Sequence, residues 1–313
     1  MKFNFKNIFQ VLKNTFNEFI DDNCIKFSAS LSYYTIFALP SLSIIIISIT
    51  GYFFGEDAVT GQFFGQINEM VGDKAAFQIQ EAVKNVKLSD SGSIATMIGI
   101  ATLLFSASGV FAEIQSSINY IWGLKAKPKK GVLRFVINRL LSFSMIGAFG
   151  FILLVSLLIN TLIEALYSEL AYLFNESAMV LADWLNSALV FLIITVLFGF
   201  IFKTLPDGKI GFKETFIGSL FTAFLFMLGK WGIGLYLGSS DKFTLYGAAG
   251  SILIVLVWVY YSAIILYFGA VFTKNYSEMF GTAIRPNNYS VWIDKNMEEV
   301  PIHKENPNTN TSI

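Results

Sequence analysis

Residues 247–273 read GAAGSILIVLVWVYYSAIILYFGAVFT, 27 consecutive positions without a charged side chain. A helix that crosses a bilayer needs roughly 20 mainly apolar residues. This run is too long for a strand, and in lipid only helices and closed barrels satisfy every backbone group. Working outward from it, five more stretches qualify: 29–54, 94–113, 137–162, 182–203 and 214–237. The charges inside them are Glu113, Arg139, Asp183, Lys203, Glu214 and Lys230, and all but Lys230 lie near an end. The chain therefore reads as an all-α polytopic membrane protein with six transmembrane helices.

Composition points the same way. Of 313 residues 54% are hydrophobic and 14% charged, against about 25% charged in soluble domains. Lys+Arg and Asp+Glu are both 22, so net charge exerts no pull toward nucleic acid. A single cysteine, Cys24, excludes an internal disulfide framework, and a single histidine, His303, leaves almost no zinc-type ligand set.

Basic residues set the orientation. Seventeen of the 22 fall in the N-terminal segment, the second and fourth connections and the tail. The third connection, 163–181, has none and carries Glu164, Glu169 and Glu176. Both termini are therefore expected in the cytoplasm of a bacterial inner membrane, as an even number of spans also requires. The first apolar run starts too late and is too long for a secretory leader.

Outside the spans, Phe5, Ile8, Phe9, Leu12, Phe16, Phe19 and Ile20 recur at helical steps, which predicts an N-terminal amphipathic helix over 3–20. It either lies in the headgroup layer or packs on the bundle. The connection 55–93 is too long for a turn and suggests short outer-side helices that cap a vestibule or rest on lipid. Residues 1–280 read as one membrane domain and 281–313 as a polar, disordered cytoplasmic tail.

Catalytic inventories fail. No HExxH, G-x-S-x-G, G-x-x-x-x-G-K-[ST] or G-x-G-x-x-G motif is present, and His303 sits in the tail. No enzyme activity, no cofactor and no metal are expected. Lys230, in FMLGKWGIGLY, is the most informative residue, because a charge at membrane depth is a functional candidate by default. It contacts an anionic substrate or snorkels to the nearby surface. Asp183 or Asp241 is its candidate partner by depth. Tyr33, Tyr34, Asn119, Trp258 and Tyr261 complete the candidate substrate path, with Trp258 and Tyr261 three residues apart on one helix face. Packing is the plainer account of these aromatics. Gly229, Gly232 and Gly234 mark the fifth span for close helix approach. Lys125, Lys127, Lys129, Lys130 and Arg134 form a run suited to anionic lipid.

Four segments together carry a resemblance. They are Asp21 to Pro40 (DDNCIKFSASLSYYTIFALP), Ser117-Ile-Asn119-Tyr-Ile-Trp122, Leu205-Pro206-Asp207, and Tyr246-Gly247-Ala through Trp258-Val-Tyr260 to Gly269-Ala270. Over residues 20–275 the chain resembles the YihY/BrkB family of bacterial inner-membrane proteins, once labelled ribonuclease BN. The resemblance implies an envelope-associated, virulence-linked protein in which transport or lipid translocation is expected. One position departs: the family often follows Gly-Ala with Glu, whereas this chain has Val271, so no proton- or cation-coupling role carries over from that Glu.

The leading reading is an inner-membrane transporter or lipid translocase with a cavity open to the outer side. The alternatives are a non-transporting envelope scaffold and, more weakly, a membrane-associated ribonuclease. Membrane lipids and an envelope protein are the expected partners, and nucleic acid is not.

Overall fold

The computed structural model describes residues 5–38, 64–65, 77, 80, 108–127, 177–238 and 248–295, with backbone alone at 177–186, 234–238, 248–252 and 254. These residues are predominantly helical. In chain order the described elements are α1 (Phe5–Asp21), α2 (24–38), α3 (108–121), β1 (Leu124–Ala126), α4 (Ser177–Thr204), β2 (Gly208–Lys209), α5 (Phe212–Gly238), α6 (Ala248–Phe280), β3 (Arg285–Pro286) and β4 (Ser290–Trp292). Among the described residues three helical windows are long and apolar enough to cross a membrane: Ser187–Thr204, Phe212–Ile233 and Val255–Phe280. They overlap the last three predicted spans. The last helix runs on to Phe280, past the predicted end at 273. Of the first two spans, 29–38 and 108–113 are helical. The span 137–162 and nearly all of the connection 55–93 lie outside the described residues.

Helix α1 packs on α6. Val11, Thr15 and Phe19, at steps of four, are buried against a face that includes Phe272 and Tyr276, and Phe19 meets the Phe268 ring edge-on at 5.4 Å. Glu18 pairs with Lys274 and accepts from Asn275 at 2.7 Å. The other face leaves Phe9 68% exposed, with Phe16 and Ile20 also exposed. Between α1 and α2, Asn23 takes a left-handed backbone (φ 55°), which Asn tolerates better than most residues.

Helices α5 and α6 are antiparallel neighbours at very close range. A side chain at Gly218 would overlap Thr273, one at Gly269 would overlap Thr222, and one at Gly229 would overlap Tyr261. Each glycine thus receives a larger side chain from the facing helix, the small-residue packing that brings membrane helices together. Both threonine hydroxyls donate to carbonyls in their own helix, Thr222 to Gly218 at 2.7 Å and Thr273 to Gly269 at 2.6 Å. Neither threonine hydroxyl is then stranded in the seam. Gly232 faces open space and takes no part. Phe226 links the layers, stacked on Trp258 at 5.5 Å and edge-on to Phe198 of α4 at 6.0 Å.

Residues 281–295 correct the reading of a disordered tail. They fold back on the helix ends: β3 pairs antiparallel with β2, and β4 with β1 in the register Leu124↔Trp292, Lys125↔Val291, Ala126↔Ser290. Pairs of two and three residues are too short to leave a periodic signature. They are held by tertiary contacts instead. The Glu214 carboxylate accepts from the Thr282 amide at 2.9 Å and packs between Gly211 and Gly281, neither of which has a side chain to exclude it. Residues 296–313 lie outside the described residues.

Cys24 opens α2, is fully buried, and its thiol is pushed up to about 12, first by burial and then by the nearby Asp22 charge. Thiolate, not thiol, is the nucleophile. Folded protein in detergent at pH 8 is expected to resist maleimide and to label fully after SDS unfolding. Prompt labelling of the folded form, read by mass spectrometry, would contradict this burial.

Candidate functional site

The site forms where three connections meet at one end of the bundle. Residues 205–211 join α4 to α5 too tightly to leave Asp207 in solvent, and it is only 1% exposed. Gln115 and Asn119, one turn apart on α3, face it. Gln115 Nε2 donates to Asp207 Oδ1 at 3.0 Å and Asn119 Nδ2 to Oδ2 at 2.8 Å. Asn119 Oδ1 in turn accepts from the Asp207 amide at 2.7 Å. The Asp207 carbonyl accepts from the Ser290 hydroxyl at 2.6 Å and the Asn287 amide at 3.0 Å, which ties in the tail. Hydrogen bonds to an ionised acceptor are the strong ones, and buried networks specify geometry when every member is satisfied.

A second tie lies beside the first. Trp122 is fully buried and its indole nitrogen donates to the Ala270 carbonyl at 3.0 Å. Gly123, at φ 68°, then reverses α3 into β1. Lys295 pairs with Asp22 at 2.5 Å, donates to the Ile121 carbonyl at 2.9 Å and lies 5.1 Å from the Tyr120 ring centre. Burial lifts the Asp22 carboxyl above its ordinary range, against the pull of Lys295. A carboxyl lifted in the folded state favours folding at low pH, an advantage that is lost as pH rises through its folded value. Lys295→Met removes the opposing charge. It is expected to cost about 2–3 kcal/mol at pH 8, less than a fully buried pair, and to recover much of that at pH 5. Melting in detergent at the two pH values measures this; an equal loss at both contradicts it.

An open cavity of about 630 Å³ lies against this junction. Gln115, Ser116 and Asn119 line it from α3, Lys125 from β1, Asp207 from the α4–α5 turn and Asp294 from the tail. Its size falls within the range of small-molecule sites.

The sequence-derived candidates separate. Asn119 is in the junction. Trp258 is buried against Phe226, and the Tyr261 hydroxyl donates to the Leu225 carbonyl at 3.2 Å. Lys230 is half-buried on α5 at the same level, 18 residues beyond Phe212 and so roughly 27 Å along the helix from the junction. Tyr33 and Tyr34 are exposed on α2, their rings 6.0 Å apart. Lys125 and Lys127 are exposed on and just after β1. Asp183 is in α4 with its backbone alone described, and Asp241, Lys129, Lys130 and Arg134 lie outside the described residues. Among the described residues no group of three His, Cys, Asp or Glu side chains is placed to hold a metal ion. Gln115 and Asp294 were not anticipated. Gln115 had a usable signal, lying four residues before Asn119 on the same helix face.

Part of each resemblance segment, namely Asp22, Asn119 with Trp122, Asp207 and Ala270, thus meets at this end of the bundle. Consistently, the family described as Virulence factor BrkB matches residues 15–290, most of the chain. The chain belongs to that family. BrkB-family relatives include a UPF0761 membrane protein of Saccharophagus degradans, 26% identical over 266 residues, 85% of this chain and 59% of the relative. One from Alkalilimnicola ehrlichii is 27% identical over 258 residues, 81% of this chain and 55% of its own. One from Xanthomonas campestris pv. campestris is 28% identical over 265 residues, 80% and 57%. The chain therefore spans under two thirds of the length of these curated relatives. No solved structure matches it. This BrkB-family chain is a membrane protein, and its motif residues Asn119, Trp122, Asp207 and Ala270 are joined to one another or to neighbouring motifs by buried hydrogen bonds.

Proposed function

We propose that this BrkB-family protein is a bacterial inner-membrane transporter or lipid translocase, with six spans, both termini cytoplasmic, and the cavity beside Asp207 as its cytoplasmic vestibule. One observation carries the reading: a roomy, open cavity lined by Gln115, Ser116, Asn119 and Asp207 at the end of an otherwise apolar bundle. A concave site with a few convergent polar groups is the usual form of a small-molecule site. The vestibule lies at the end opposite to the one expected from sequence. Lys230, Trp258 and Tyr261 then stand further along the same path, and no catalytic step is assigned to any residue. The test is reconstitution in liposomes, following labelled phospholipids across the bilayer and small polar solutes into the lumen. Flux above protein-free liposomes supports the proposal, and its absence for every lipid and solute overturns it.

A second reading, a non-transporting envelope scaffold, draws on a different observation. The tail, α3 and the α4–α5 turn are knotted by reciprocal hydrogen bonds, an arrangement suited to a rigid platform. It predicts an envelope protein crosslinked to the β1–β4 surface in cells and no flux in liposomes.

A further inference from the structure

Helix α1 sends its apolar side chains in two directions. Val11 packs with Phe272 and Tyr276 of α6 and with Ile217 and Phe221 of α5, and Phe19 meets Phe268. Those α5 and α6 residues lie inside the windows Phe212–Ile233 and Val255–Phe280, each long and apolar enough to cross a membrane. The helix is therefore strapped to the flank of two spans, near the end that carries the junction. The adjoining face of α1 holds Phe9, Leu12, Phe16 and Ile20 at steps of three and four, and all four are exposed. At the same level α5 exposes Phe216 and Leu220. Lys6 and Lys13, also exposed, border this face, three residues before Phe9 and four after it. Beyond them the helix turns polar, with Gln10 and Asn17 exposed. Of the two acids on α1, Glu18 is paired with Lys274, and only Asp21 at the far end is exposed. An apolar face, a lysine edge and a polar back thus follow one another around the helix. That order lets phenyl rings enter acyl chains while ammonium groups reach headgroups. Protein interfaces are depleted of lysine, whereas anionic leaflets attract it. We propose that α1 lies in the leaflet bordering the junction end of the bundle, its exposed apolar face among acyl chains and Lys6 and Lys13 on the phosphates of anionic lipid. The helix then packs on the bundle with one face and on lipid with the next. This assignment is independent of the vestibule.

The test is site-specific photocrosslinking. Full-length protein with benzoylphenylalanine in place of Phe9 is irradiated in nanodiscs of equal phosphatidylglycerol and phosphatidylcholine, and the adducts are identified by mass spectrometry. Lipid adducts are expected, with phosphatidylglycerol favoured by roughly fivefold for each lysine that reaches the headgroups. The Lys6→Gln/Lys13→Gln double variant is expected to bring the ratio of the two lipids close to one. Its melting temperature is expected to stay unchanged, because both side chains are exposed. The same photoprobe in place of Gln10, on the polar side, is expected to give little lipid adduct. Adducts to a second copy of the chain would make the face a dimer contact and overturn the assignment. Absence of adducts at position 9, or equal lipid labelling at positions 9 and 10, overturns the apolar half of it. Equal yields from the two lipids, or a preference that survives the double variant, overturns the anionic half. Liposome flux, present or absent, does not bear on the outcome.

Discussion

Asn119→Ala is expected to be the most damaging small substitution in the described chain. The Asn119 side chain gives one hydrogen bond to the Asp207 carboxylate and takes one from the Asp207 amide. Its loss leaves a carboxyl oxygen and a backbone N–H buried without those partners. An orphaned buried group costs about 1–3 kcal/mol, and more when charged, so the two together come to about 3–5 kcal/mol. At this chain size that lowers the melting temperature by roughly 6–20 °C. A double-mutant cycle with Asp207→Ala separates this account from a general packing loss. The two residues are directly coupled, so the double variant is expected to lose less stability than the sum of the singles, by about 1 kcal/mol or more. Additive losses, measured by thermal or SDS unfolding in detergent, would rule out the reciprocal pair as the source.

The second large effect lies in the seam between α5 and α6. Gly218→Leu drives a side chain into Thr273, which cannot withdraw because its own backbone holds it and its hydroxyl donates to Gly269. Overpacking of this kind costs about 3 kcal/mol. Gly232 supplies the internal control, since nothing stands where its side chain would grow. Gly232→Leu on the same helix is expected to be neutral within about 0.5 kcal/mol, as surface substitutions usually are. If both variants lose stability equally, interhelical fit at Gly218 is not the cause, since Leu is the better helix former at both positions. The two outcomes also separate lipid-facing from protein-facing glycines, which hydropathy treats alike.

The helices of this fold were legible because their cause is local. An uninterrupted apolar run such as 251–271 has no alternative in a bilayer but to close its own hydrogen bonds. Gly229 was legible for a related reason, since small residues in apolar helices serve close approach, but the adjacent Gly232 carries the same signal and serves nothing among the described contacts. The junction was half legible. Asn119 and Asp207 both stood in the motifs that carried the family resemblance, yet sequence spacing gave no sign that residues 88 positions apart would bond to each other. The tail escaped altogether. Its strands are too short for periodicity, and Arg285-Pro286-Asn287-Asn288 reads as a linker until β1 and β2 are present to receive it. Lys295 likewise acquires meaning only when Asp22 is found beneath it. Local physics speaks through the sequence, whereas long-range pairing of single polar side chains does not.

The pairing of residues 285–295 with β1, β2 and Asp22 has a consequence for biogenesis. Translation delivers these residues after every described helix, so a nascent chain has its greasy segments committed to the bilayer while the junction still lacks its closing piece. Insertion and completion are then separate events, the second following the first. A polypeptide interrupted near residue 281 would be threaded correctly yet expose the Asp207 carbonyl, the Asp22 carboxylate and two unpaired strand edges. Quality-control proteases of the membrane would meet a visible mark of an unfinished product, erased only when the final stitch is drawn.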